Sequence, residues 1–182
     1  MKLPTQVAGR WTGPLHVLLL GVCLSTTLPA QAQTQLNGDL LGLSETDLQA
    51  RVSALHRNGK PLPGPHGSRG VWSRANTAIA GLTFETTFYL RDKRVARVEH
   101  LRISTGSDCS GGTSFSTLVA DTASRLGTGL PSSDPPLNGL TQQSVIWVAG
   151  AFDVRVLQSQ SASQCAIRVV YEAHIEKDAS AL

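Results

Sequence analysis

One short segment of the chain gathers several side chains that could do chemistry. Residues 107–112 read Ser-Asp-Cys-Ser-Gly-Gly and combine a hydroxyl, a carboxylate and a thiol with two glycines. A cysteine nucleophile at Cys109 would need a free thiolate and a histidine base close to it in space. The glycines and the position between two similar halves of the chain favour a turn. We therefore predict that residues 107–112 form a linker.

The cysteines predict a disulfide bond. The chain contains three of them, and Cys23 lies near the N-terminus. In an oxidising compartment the other two, Cys109 and Cys165, are expected to form one bridge, worth roughly 4 kcal/mol on chain-entropy estimates. The alternative is a metal site, which would need further ligands nearby. Neither His100 nor His174 has ligand spacing to either cysteine, so the disulfide is favoured.

The histidines are the remaining candidates for a metal site. His56, His66, His100 and His174 are spread along the chain. His100 and His174 fall in corresponding predicted strands and could bind a metal as a pair, but metal ligands usually show tighter local spacing. We expect both to be half-exposed strand residues. The sequence contains no nucleophile elbow, P-loop or dinucleotide fingerprint, so it predicts no catalytic residue, metal or cofactor.

The first 32 residues are typical of a cleaved secretion signal. Lys2 and Arg10 are basic, residues 15–24 form an apolar run, and Ala30-Gln31-Ala32 supplies the small side chains of a cleavage site. Cleavage after Ala32 would leave a chain that begins at Gln33. We therefore predict an exported protein, periplasmic or alternatively secreted.

Two other interpretations of the N-terminal segment are a membrane anchor and a lipidation site. A membrane anchor is disfavoured, because an apolar run this short does not reach the roughly twenty residues that a spanning helix needs. Lipidation of Cys23 is disfavoured, because branched Val22 stands where a lipobox wants a small residue. The absence of a twin-arginine pair favours the general export route. No stable membrane span is expected after cleavage.

The charge distribution gives no indication of a nucleic-acid partner. The formal net charge of +3 falls to +1 when Lys2 and Arg10 leave with the signal. The densest basic stretch, residues 91–97, is interrupted by Asp92 and followed by Glu99, as is typical of a solvated hairpin. Binding to phosphates needs a concentrated basic face. We therefore predict no nucleic-acid partner.

The first half of the exported chain predicts one helix and three strands. Ser44 with Asp47 resembles a helix cap, and the apolar residues that follow recur at helical spacing as far as Asn58-Gly59. A loop rich in proline and glycine spans residues 60–67. The predicted strands are 71–77, 82–90 and 95–103, with a turn at 91–94.

The second half predicts the same order of elements. A helix begins at Thr113 and ends at Gly127 and Gly129, a second breaker-rich loop spans 130–139, and strands follow at 144–149, 151–158 and 165–175. The predicted fold class is therefore α+β. Two tandem helix-plus-three-strand repeats, 33–106 and 113–182, would form an antiparallel sheet with the helices on one side.

This order of elements resembles a known fold. The tandem of helix, Pro/Gly loop and antiparallel strands, with a tryptophan opening each first strand, looks like the β-lactamase-inhibitor-protein-like fold. One such unit is similar to the small outer-membrane assembly lipoproteins of the SmpA/OmlA type. The resemblance covers roughly residues 40–175. It is carried by residues 43–48, Val71-Trp72, Phe88-Tyr89-Leu90 with Val95, and Ile146-Trp147-Val148. It implies a partner that is another protein, from the envelope or secreted, bound through the open face of the sheet or through the two Pro/Gly loops.

The candidate binding surface follows from this expectation. Tyr89 points opposite to Phe88 and is the candidate for an exposed contact, with Arg97 and Arg102 on the neighbouring predicted strand. Trp72 and Trp147 either anchor a partner, since interfaces favour tryptophan, or fill the core beneath the helices.

Three functions are compatible with these observations. The first is an exported, non-catalytic protein-binding module, such as an inhibitor or an immunity protein against a secreted enzyme or toxin. The alternatives are a cell-envelope assembly or maintenance factor and a small periplasmic hydrolase with an unrecognised site.

Overall fold

The computed structural model describes residues 37–105, 112–132, 141–161 and 163–174. All of these residues belong to one compact unit of the chain. Eight strands are described: β1 (His56–Pro63), β2 (Arg69–Ile79), β3 (Leu82–Arg91), β4 (Arg94–Thr105), β5 (Leu130–Ser132), β6 (Thr141–Ala149), β7 (Phe152–Gln160) and β8 (Gln164–Ala173). They form one antiparallel sheet in the order β1-β2-β3-β4-β8-β7-β6-β5, so β4 and β8 lie at its centre.

The helices of the described chain are short. They are α1 (Glu45–Arg51), α2 (Thr113–Leu126) and two 3₁₀ turns at Asn37–Leu40 and Pro65–Gly67. The predicted cap of α1 is confirmed, because the Ser44 hydroxyl accepts a hydrogen bond from the Asp47 amide at 3.2 Å. The predicted end of α2 is confirmed at Gly127, whose positive φ of 82° suits glycine. Within the described ranges, no helix has the length and apolar character needed to cross a bilayer.

The predicted α+β class was wrong, because the structure is mostly β. The first helix was expected to reach Asn58-Gly59, but α1 ends at Arg51 and Val52 is already extended. The predicted end of that helix and much of the following Pro/Gly loop instead form β1, paired with β2. Prolines are tolerated there because β1 is an edge strand. In the second half, β5 likewise arises from the start of the predicted breaker-rich loop.

The other strands lie where their alternation predicted them. Strands β2, β3, β4, β6, β7 and β8 each overlap the predicted span. The turn expected at residues 91–94 is confirmed: Asp92 and Lys93 have φ values of 52° and 62°, the left-handed pair that a tight hairpin between twisted strands requires.

The helices pack against one face of the sheet, which we call the helix face. Leu48 of α1 and Leu118 of α2 join a single core cluster with Val98 of β4, Val154 of β7 and Val169 of β8. Because successive strand side chains alternate, the residues between these point to the opposite side. We call that side the open face, since neither α1 nor α2 packs on it.

Candidate functional site

An ion-pair network occupies the centre of the open face, across β4 and β8. A terminal nitrogen of Arg97 lies 2.7 Å from a carboxylate oxygen of Glu99, and its other terminal nitrogen lies 3.3 Å from Glu172. Nε of Arg168 lies 3.2 Å from the second oxygen of Glu99. The Arg97 and Glu99 side chains are only 18% and 14% exposed. A network of this kind fixes side-chain positions better than isolated surface pairs do.

Tyr89 adjoins this network from β3. It is only 8% exposed, so the expectation of an exposed contact at Tyr89 was wrong. It is the register partner of Arg97, whose guanidinium carbon lies 5.8 Å from the centre of its ring, within cation–π range. Glycines make room for the ring: a Cβ at Gly64 would come within 2.6 Å of Cδ1, and one at Gly70 within 3.1 Å of Cε1. Burial, and secondarily the charge of Glu99, raise the pKa of Tyr89. The phenol therefore stays protonated at neutral pH.

Together these residues border a groove of about 450 Å³. The segment Pro63-Gly64-Pro65 flanks Tyr89 at one end, and the groove extends across β8 and β7 to Ile146 on β6. Its middle is aliphatic, with buried Val170 and partly buried Leu157. Tyrosine and arginine are enriched in protein-binding surfaces.

The far side of the groove carries a second set of charges. Nδ1 of His174 lies 3.2 Å from a carboxylate oxygen of Asp153. Arg155, two residues further along β7, is exposed and lines the same groove. Within the described ranges, no carboxylate lies in ion-pair distance of Arg155.

The structure brings together only part of the predicted binding surface. Tyr89 and Arg97 are adjacent, but Arg102 lies on the helix face, opposite Ile167 of β8. The alternation of β4 explains the difference, because Arg102 follows Arg97 by five positions and side chains an odd number of positions apart point to opposite faces. Arg102 therefore does not belong to the groove.

The two tryptophans lie on the helix face and pack into the core. Trp147 is 3% exposed, and its indole N–H donates to the Gly127 carbonyl at the end of α2, at 2.9 Å. Trp72 is partly buried against the core, and its indole N–H donates to the Glu45 carboxylate of α1 at 2.9 Å. Of the two roles considered for them, the structure places both in the core beneath the helices.

The two strand histidines lie on opposite faces and cannot share a metal ion. His174 reaches Asp153 on the open face, whereas His100 is fully buried on the helix face. The expectation that His100 is half-exposed was therefore wrong. Burial, with a smaller effect of the Arg74 charge, lowers the pKa of His100 to about 3. Among the described residues, no group of three His, Cys, Asp or Glu could hold a metal ion.

The predicted disulfide falls partly outside the described residues. Cys165, at the start of β8, is buried and disulfide-bonded. Cys109 lies outside the described ranges, as does most of the predicted linker 107–112. The pairing of Cys109 with Cys165 stays a prediction.

Sequence reasoning missed most of the groove. Glu99, Arg155, Arg168 and Glu172 lie on the open face because they alternate with core residues such as Val98, Val154 and Val169. That alternation can be recognised in the sequence, but the order in which the strands pair cannot. No family model, curated protein or solved structure matches this chain.

Proposed function

We propose that this protein is an exported, non-catalytic binding module that holds another protein on its open face. The observation that carries this proposal is the groove in which Tyr89 and Arg97 are held by glycine contacts and ion pairs. Tyrosine and arginine dominate the binding energy of many interfaces. Side chains that are fixed before binding lose less conformational entropy when a partner docks.

We further propose that this binding module is an inhibitor or an immunity protein. Such a protein would engage one secreted enzyme or toxin tightly in a one-to-one complex. The size of the groove supports contact with a protruding loop of such a target. Export to the periplasm, with cleavage after Ala32, belongs to this proposal, because a secreted target is met outside the cytoplasm.

Affinity capture with matched variants tests the proposal. The exported protein would be used as bait on envelope and culture extracts, with bound proteins identified by mass spectrometry. Two variants change exposed open-face residues, Arg155→Glu and Val148→Lys. The control, Gln49→Glu, alters an exposed residue of α1 on the other side of the sheet. Thermal melting would verify that all of them fold.

We expect one stoichiometric partner that the wild type and Gln49→Glu retain and both open-face variants lose. A partner retained by every variant would place the binding surface elsewhere. The lack of any stoichiometric partner for folded, oxidised bait would contradict the binding function itself.

A further inference from the structure

We propose that the open face selects a partner segment that presents one carboxylate side chain with aliphatic neighbours, seated against Arg155. This inference rests on the proposed function and deepens it, since it names the chemistry that the groove recognises. It follows from the charges of the groove and from the residues that surround each of them.

Three arginines line the groove, and two already have carboxylate partners. Arg97 is held by Glu99 and Glu172, and Arg168 is held by Glu99. Arg155 is the exception, because the described part of the chain brings no carboxylate within ion-pair distance of it. A partner that brought a cation would find the three carboxylates of the groove, Glu99, Glu172 and Asp153, already engaged with Arg97, Arg168 and His174.

The carboxylate nearest to Arg155 in sequence is engaged elsewhere. Asp153 lies two residues earlier on the same face, but its carboxylate accepts from Nδ1 of His174. The two register partners of Arg155 are both aliphatic, Ile146 on β6 and Val170 on β8. Arg155 is therefore flanked across the sheet by aliphatic side chains, with Asp153, Arg168 and Glu172 at the next positions of the open face. Its own side chain is exposed to solvent in the free protein.

These surroundings define what can cover Arg155. Burying a cation without a counter-charge costs several kcal/mol, so a purely apolar segment is disfavoured. A carboxylate can accept two parallel hydrogen bonds from a guanidinium. The positive charge of Arg155 would also attract a carboxylate of the partner. Aliphatic residues beside it would bury Ile146 and Leu157 and exclude water from the pair. The fitting partner is therefore a protein loop with Asp or Glu between apolar side chains.

Peptide selection tests this preference without knowledge of the natural partner. Random peptides displayed on phage would be selected on the exported, oxidised protein, on Arg155→Gln and on Gln49→Glu. The two variants carry the same net charge change on opposite sides of the sheet. We expect the wild type and Gln49→Glu to enrich peptides with Asp or Glu next to aliphatic residues. Those peptides should bind Arg155→Gln about tenfold or more weakly.

A charge-reversed variant sharpens the test. Arg155→Glu should enrich Lys or Arg at the position where the wild type enriches Asp or Glu. Competition with an Asn or Gln version of each peptide would show that the carboxylate itself is recognised.

The outcomes separate this inference from the proposed function. Peptides that bind the open face with no acidic preference, or that tolerate Arg155→Gln, would overturn the inference and leave the binding function standing. Selection of no peptide at all, together with no partner in affinity capture, would overturn both. Tighter binding to a phosphate polymer than to any acidic peptide would also overturn it.

Discussion

Nδ2 of Asn37 lies 2.7 Å from Nε2 of His100, which joins the first described residue to the middle of β4. On the other side of the ring, Nδ1 lies 2.8 Å from the Thr86 hydroxyl, which itself donates to Thr77 at 2.6 Å. Because the Thr86 proton is used by Thr77, Nδ1–H donates to Thr86 and Nε2 accepts from Asn37. This network holds a neutral imidazole in the core.

The stability of the protein should depend on pH through His100. An unfolded histidine has a pKa of about 6.5, whereas burial lowers the pKa of His100 to about 3. Between these values the unfolded state binds a proton that the folded state does not, so acid favours unfolding. The free energy of unfolding should fall by about 2 kcal/mol from pH 7 to pH 5 on account of this residue. Urea unfolding at a series of pH values measures this.

His100→Gln is the control for this pH dependence. It removes the titrating group, so its free energy of unfolding should change less between pH 7 and pH 5, whatever its absolute stability. Equal slopes for the variant and the wild type would contradict the assignment of the effect to His100.

Gly38 should not tolerate a side chain. A Cβ at this position would lie 2.4 Å from Cζ of Phe152, so Gly38→Ala must displace the Phe152 ring or the N-terminal turn. We expect a loss of about 1–3 kcal/mol in the free energy of unfolding. Gly59→Ala is the matched control, because nothing lies within 4 Å of a Cβ there. Thermal and urea unfolding of both variants would show whether only the first is destabilised.

Local sequence patterns predicted most individual elements but not the fold class. Ser44, the alternation of residues 82–90 and the end of α2 at Gly127 are local signals, and each appears in the structure. The segment from Val52 to Pro63 was predicted incorrectly. Val52 and Leu55 have helical spacing and prolines follow them, so the local pattern predicted a helix and then a loop. In the structure, most of this segment pairs with β2. Edge pairing is a tertiary effect that a local pattern does not carry.

The groove was harder to predict for the same reason. Tyr89 and Arg97 were recognised because neighbouring strands of a hairpin are also neighbours in sequence. Glu172 and Arg168 reach Arg97 and Glu99 only because β4 pairs with β8. That pairing joins residues far apart in the chain, and local patterns do not reveal it.

Non-reducing peptide mapping should join Cys109 to Cys165. Cys165 is disulfide-bonded, and Cys109 is the cysteine that would remain with it after removal of the signal. Cys109→Ser should then lower the free energy of unfolding by roughly 4 kcal/mol under oxidising conditions. The same substitution should have little effect when the wild type is reduced. A tryptic fragment that joins Cys165 to any other cysteine would contradict the pairing.

The ion network should show measurable coupling between Arg97 and Glu99. Replacing Arg97 by Gln leaves Glu172 without its ion pair and removes the cation over Tyr89, so we expect a loss of about 1–2 kcal/mol in the free energy of unfolding. Arg97→Gln, Glu99→Gln and the double variant form a double-mutant cycle in which the paired loss should be smaller than the sum of the single losses. The exposed pair Arg51 and Asp39 gives a comparison cycle, with a smaller coupling expected because both side chains are more exposed. Additive losses at Arg97 and Glu99 would show that the network does not fix the groove before a partner arrives.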